Sequence, residues 1–417
     1  MISPDIGAQP NAAHEYSHPF VYSLLYLPFG AVFGYVSVAL TYSLTHAGMT
    51  IARAGGLVAI FFLPQGLKFL WAPIVDTTLN QKAWYVIGAA MTAMSIVALS
   101  ALPPAITPFG VLVTFALIMS FASSFVGMSV EALVAFSIAP EQKGRAGGWL
   151  QAGSFAGNGL GGGAALWLIQ HVSMPWITGG ALGTCMLLCC LPLCLVHEHP
   201  RSHERAQSIG SRVWQVLLDI WHVVRARSGY LALLLVFLPI GTGAASAYWS
   251  PVADEWHTSA NVVALVNGTL GGIASGLGCL VGGYLSDRFD RKLAYVSFGL
   301  ALAACAVAMA LCPRTESAYV SFVLLYAFGS GVCFAGFSAV TFEAIGHGAA
   351  AFKYNVFAGF SNISIGYLTG SEGLAYSRWG SHGMLYTDAA VAVTSAAIFT
   401  SAWLLSARFA NRLPEPV

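Results

Sequence analysis

Apolar runs of about twenty residues, interrupted by short polar connections, follow one another from residue 20 to residue 407. About 20 mostly apolar residues in a helix are enough to cross the hydrocarbon of a bilayer. Applied along the chain, that length predicts twelve membrane helices: 20–44, 54–76, 84–102, 109–136, 146–170, 176–197, 229–252, 260–286, 293–312, 317–345, 350–375 and 383–407. Pro28, Pro64, Pro73, Pro239 and many glycines fall inside these runs. Neighbouring helices can satisfy the backbone groups that such residues free.

The longest polar connection divides the pattern in two. The expected organisation is a tail at 1–19, a six-helix bundle at 20–197, a connection at 198–228, a second bundle at 229–407 and a tail at 408–417. Residues 1–19 are polar and lack Lys and Arg, so they read as a disordered tail and not a signal peptide. Within the connection, Val213, Trp214, Leu217, Ile220, Trp221 and Val224 share one helical face, opposite Gln215, Asp219 and His222. Two readings stay open for it: a helix lying on the membrane surface, or a linker packed against the bundles.

Composition supports the membrane reading. Hydrophobic residues make up 57% of the chain and charged residues 8%, against roughly 25% charged in soluble domains. A net charge of +1 gives no reason to expect a nucleic-acid partner. The eight cysteines lie in or beside apolar runs without metal-ligand spacing, and read as small buried hydrophobes, neither disulfides nor metal ligands. No HExxH, GxSxG or Walker loop occurs, which removes the usual signs of an enzyme or an ATP-driven pump and predicts no cofactor and no metal.

Charge sets an orientation. With the N-terminus inside, fourteen Lys and Arg residues fall on inner segments, while Arg53, Arg314 and Arg378 fall outside and Lys68 lies within a helix. That bias predicts both termini in the cytoplasm.

The halves also repeat. Asp76 and Asp287 are 211 residues apart, Glu131 and Glu343 are 212 apart, and Gln151 and Asn158 match Asn355 and Asn362 at an offset of 204. A carboxylate at a helix C-terminus faces the negative end of the helix dipole and needs a positive partner. Lys68 has no echo, since Cys279 stands 211 residues later. Three readings of Lys68 remain: snorkelling toward the cytoplasm, an ion pair with Glu131 or Glu343, or a role with substrate or proton. Glu131 and Glu343 are the proton-coupling candidates, with helix capping as the plainer alternative. Asp388, after Thr387, reads as first-turn capping of the last helix, and Glu372 with Asp254 and Glu255 as solvated groups at outer helix ends.

The stretch Gly283-x-Leu285-x-Asp287-Arg288-x-Asp290-Arg291-Lys292 resembles the signature of the major facilitator superfamily, with Asp290 in place of its second glycine. Phe69 to Asp76, F-L-W-A-P-I-V-D after Lys68, is similar to the first copy in the muropeptide permease and acetyl-CoA transporter branch, with Thr77 where that branch has arginine. The resemblance implies an all-α polytopic membrane protein, two pseudo-symmetric six-helix bundles and no enzymatic activity.

It further implies a gating latch of Asp76, Lys82, Arg145, Gly283, Asp287, Arg288, Arg291, Lys292 and Lys353. In that arrangement Asp287 meets the start of helix five and Asp76 the start of helix eleven, near Lys353 and Tyr354. Tyr22, Tyr26, Tyr35, Gln151, Asn158, Tyr248, Trp249, Asn355 and Asn362 are candidates for a substrate cavity, with close helix packing as the alternative for the amides. The expected function is alternating-access import of an amphipathic, muropeptide-like metabolite, coupled to protons or another ion, by a monomer in a bacterial inner membrane. A siderophore importer and a drug or metabolite exporter fit the same residues, and a receptor or scaffold is the reading without transport.

Overall fold

The computed structural model describes residues 17–103, 106–172, 174–196, 225–345 and 350–410, together with residues 214, 218 and 221. Among the described residues there is no strand. Helix α1 spans Phe20–His46. Helix α2 runs over Ile51–Leu67, tightens to a 3₁₀ turn at Lys68–Leu70 and ends with Ala72–Thr77. Then follow α3 (Gln81–Ala101), α4 (Phe109–Ser137), α5 (Lys143–His171) and α6 (Pro175–Leu188). The second set is α7 (Arg227–Phe237), α8 (Asn261–Arg288), α9 (Arg291–Leu311) and α10 (Glu316–Ile345). The last segment, Ala350–Ala410, is broken at Gly380 into α11 (350–379) and α12 (381–410).

The first bundle is built on α1 against α5 and on α3 against α4 and α6; the second on α8 and α9 against α10, α9 against α12, and α7 against α11. The bundles meet along α5 with α8 and α10, and along α11 with α2 and α4. Glycines set the closest approaches. A Cβ added at Gly34 would stand 1.9 Å from the Asn158 carbonyl oxygen, and one at Gly157 would stand 2.1 Å from that of Leu27. The glycine-rich face of α5 is therefore a contact surface for α1, the usual use of small residues between membrane helices.

One expectation of length is corrected. The seventh helix stops at Phe237, because Leu238 precedes Pro239 and is held extended at φ −76° and ψ 135°. The chain passes through Gly241 and Gly243, both at positive φ, and resumes as the short turns Ala244–Tyr248, Trp249–Val252 and Ala253–Trp256. The sixth span runs over Trp176–Leu195 as expected, α-helical to Leu188 and 3₁₀ at Leu191–Leu195. In the central connection Trp214, Leu218, Trp221 and Arg225 are helical and exposed. Val213, Leu217, Ile220 and Val224, with Gln215, Asp219 and His222, lie outside the described residues. All eight cysteines are free; Cys279 and Cys333 are buried, while Cys185 and Cys194 are exposed and so depart from the buried reading.

Candidate functional site

Asp76 and Asp287 each reach the first turn of a helix in the opposite bundle. Asp287 accepts from the backbone N–H of Gly144 at 2.7 Å and of Arg145 at 2.9 Å, and from Arg145 Nε at 3.2 Å. Asp76 accepts from the N–H of Ala351 at 3.2 Å and of Phe352 at 2.7 Å. The first N–H groups of a helix have no partner within it and form the positive end of its dipole, so a carboxylate is the natural acceptor. Gly283 lets the helices touch there: a Cβ at that position would lie 2.7 Å from the Gly144 carbonyl oxygen.

The other predicted latch residues divide. Arg291 lies 3.5 Å from Asp287, and with Lys292 it holds Glu343. Lys353 is buried and donates to the Ile345 carbonyl at 3.2 Å, capping the end of α10. Lys82 is half-buried at the start of α3. Arg288 is a correction. It is exposed and lies over the Tyr284 ring at 4.5 Å, turned away from Asp287. Asp290, the departure from the superfamily signature, caps α9 by accepting from the N–H groups of Lys292 and Leu293. Asn80 does the same for α3 through Ala83.

Deeper along the bundle boundary, Lys68 pairs with Glu131 at 2.9 Å; the two residues are 6% and 1% exposed. Tyr26 donates to the same carboxylate oxygen at 2.8 Å, and Asn355 from the other bundle donates to the second oxygen at 3.0 Å. The Lys68 ammonium also sits 5.3 Å from the centre of the Phe29 ring. Lys68 therefore does not snorkel, because a carboxylate and an aromatic face satisfy it within the fold. Glu343, the other partner offered for Lys68, forms ion pairs elsewhere. It belongs with Arg291 and Lys292 near the end of α10, and not beside Lys68.

Gln151 of α5 donates to Ser338 of α10 at 3.0 Å. Asn355 of α11 reaches α4 in the corresponding way, so the repeated amides both join the bundles. Among the described residues, every hydrogen bond between the bundles lies at the end that carries Asp76 and Asp287.

Of the remaining cavity candidates, Tyr22 is buried, and Tyr35 turns into the first bundle to bond Ser100 at 2.8 Å, so neither is placed on an open surface. Trp249 is buried edge-on against Tyr326. Tyr248 is half-buried and donates to the Thr369 carbonyl at 2.7 Å. Asn158 and Asn362 are exposed.

Sequence reasoning missed one cluster. Glu372 and Asp388 are buried, and not solvated or capping, because α11 continues to residue 379 and α12 begins at residue 381. Both therefore lie two turns inside their helices. Asp254 is exposed as expected, and Glu255 is half-buried beside Ser381 and Arg314.

Long apolar helices in two bundles, closed against each other at one end by polar contacts, define a polytopic membrane protein. The family model of the Major Facilitator Superfamily matches residues 22–369, and the chain belongs to that superfamily of membrane transporters, which are not enzymes. No curated relative matches the sequence.

Solved structures share the fold at low identity. FucP, a Major Facilitator Superfamily transporter in the outward conformation, has a TM-score of 0.69 at 17% identity, over 92% of this chain and 97% of that one. The human organic anion transporter MFSD10 (TETRAN) has a TM-score of 0.67 at 15% identity, over 91% and 99%. A bacterial homologue of the iron transporter ferroportin, in an outward-facing state, has a TM-score of 0.62 at 16% identity, over 92% and 98%.

Proposed function

We propose that this chain is a proton-coupled secondary transporter, working by alternating access, with the Asp76 and Asp287 end in the cytoplasm. The observation that carries this reading is the placement of every described inter-bundle hydrogen bond at that one end. On this reading the conformation is outward-facing, and the latch carboxylates must leave the α5 and α11 N-termini before the cytoplasmic side opens. The excess of Lys and Arg on the same side supports the orientation.

Glu131 and Lys68 suit the coupling step. A proton on Glu131 cancels its charge and frees the Lys68 ammonium for an anionic group of the substrate, so the buried charge stays balanced. The segment Lys68 to Asp76, similar to the muropeptide permease branch, favours an amphipathic metabolite of muropeptide class bearing a carboxylate. Among the relatives of the fold, MFSD10 is described as an organic anion transporter.

Uptake into proteoliposomes with and without an imposed proton gradient tests the reading. Accumulation of a muropeptide that requires the gradient, and is lost in Lys68→Gln, supports it. No gradient-driven uptake across muropeptides, siderophores and nucleotide-linked metabolites, with folded protein, overturns it.

A further inference from the structure

Glu372 and Asp388 stand eight residues on either side of Gly380, whose φ of 63° and ψ of −160° fold α12 back on α11. At 1.5 Å per residue both lie about 12 Å from the turn, at the same depth. Glu372 is 0% exposed and Asp388 5%, and their carboxyl groups are near neighbours. Neither oxygen of Glu372 has a hydrogen-bonding partner among the described residues. One oxygen of Asp388 accepts from the Tyr326 hydroxyl of α10 at 3.0 Å.

The titratable groups facing the pair are Tyr248 of the turn after α7, Cys305 of α9, and Tyr326 and Cys333 of α10. No lysine, arginine or histidine is among them. Two ionised carboxylates at this depth would repel at short range in a medium of low dielectric. Even one buried charge needs a donor, and Glu372 has none among the described residues. A single proton solves both problems, because a protonated Glu372 becomes a donor for the Asp388 oxygen that Tyr326 does not occupy.

We propose that Glu372 and Asp388 hold one proton between them, forming a proton-binding site in the second bundle separate from Lys68 and Glu131. The proton comes from water and returns to water, and no other bond changes. The two sites lie toward opposite ends of the molecule. Lys68 and Glu131 are near the latch end of their helices, whereas Glu372 and Asp388 are near the α11–α12 turn.

Infrared spectroscopy of the full-length protein in nanodiscs, during a pH titration in sodium-free buffer, tests the site without depending on transport. The expected result is a protonated-carboxyl stretch that persists at neutral pH in the wild type, is lost in Glu372→Gln and in Asp388→Asn, and remains in Glu131→Gln. Glu372→Gln resembles the protonated acid, so it should unfold within a few degrees of the wild type and with a flatter dependence on pH. Absence of the stretch at neutral pH in the wild type overturns the proposal, as does its survival in both Glu372→Gln and Asp388→Asn. Its loss on adding sodium chloride at constant pH also overturns it, since that result assigns the carboxylates to a metal cation. If the variants fail to fold, the wild-type stretch and its response to sodium decide the matter alone.

Discussion

Asn355 of α11 donates to one oxygen of Glu131 in α4 at 3.0 Å, while Lys68 of α2 holds the other oxygen at 2.9 Å. A single buried carboxylate is thus shared between an ion pair inside the first bundle and a bond to the second. Whatever changes the charge on Glu131 acts on both at once, which links the state of the ion pair to the closure of the bundles.

Asn355→Leu should release the closed end. A hydrogen bond to a charged group is worth about 1.5–3 kcal/mol, enough to shift a two-state equilibrium by roughly tenfold or more. Spin labels at the exposed positions Glu141 and Phe289 would report the change as a longer distance. An unchanged distance distribution would remove Asn355 from the closure.

Glu131→Gln leaves Lys68 buried without its counter-charge and should destabilise the protein by about 3–5 kcal/mol. The double variant Lys68→Met with Glu131→Gln should lose less than the sum of the two single variants. Chemical denaturation in detergent measures all three. Simple additivity would mean that the two charges do not depend on one another.

Neutralising either latch carboxylate separates gating from local stability. Asp76→Asn and Asp287→Asn weaken charge-assisted bonds to helix N-termini, so the labelled ends should move apart and uptake should fall. Asp290→Ala removes only the cap of α9, at a cost of about 1 kcal/mol, and should leave the distance unchanged. Opening in Asp290→Ala, or none in Asp287→Asn, would contradict this division of roles.

The α5–α8 crossing is tested by volume alone. A methyl group at Gly283 would lie 2.7 Å from the Gly144 carbonyl oxygen, whereas nothing lies within 4 Å of one at Gly276 on the same helix. Gly283→Ala should hold the latch end open, as read by the same distance measurement. Gly276→Ala should leave it closed.

Much of this arrangement was legible in the sequence because its signals are local or repeated. Hydropathy located the helices, the duplicated carboxylates marked one end of each bundle, and the resemblance to the superfamily named the helices they meet. The pairing of Lys68 was narrowed by depth to two carboxylates, and packing of α2 against α4 chose Glu131. Glu372 and Asp388 escaped because hydropathy places charged residues at helix ends by default. The reversal at Gly380 takes a single left-handed residue in an otherwise continuous helical run, so both carboxyls end up inside. The early stop of α7 had a local cause in Leu238-Pro239, but the apolar run continuing past it concealed the break.

The 3₁₀ turn at Lys68–Leu70 gives α2 a mechanical character. Pro73 has no N–H to offer the Phe69 carbonyl, so the α-helical ladder is interrupted there. A mid-helix stretch of 3₁₀ often marks a hinge. Its short lower piece carries Asp76, its long upper piece carries Gln65, bound to Ser120 and Ser123 of α4, and Lys68 sits at the break. The break therefore lies between a piece bonded to the second bundle and a piece bonded to α4 of its own bundle, with the ion pair at the junction.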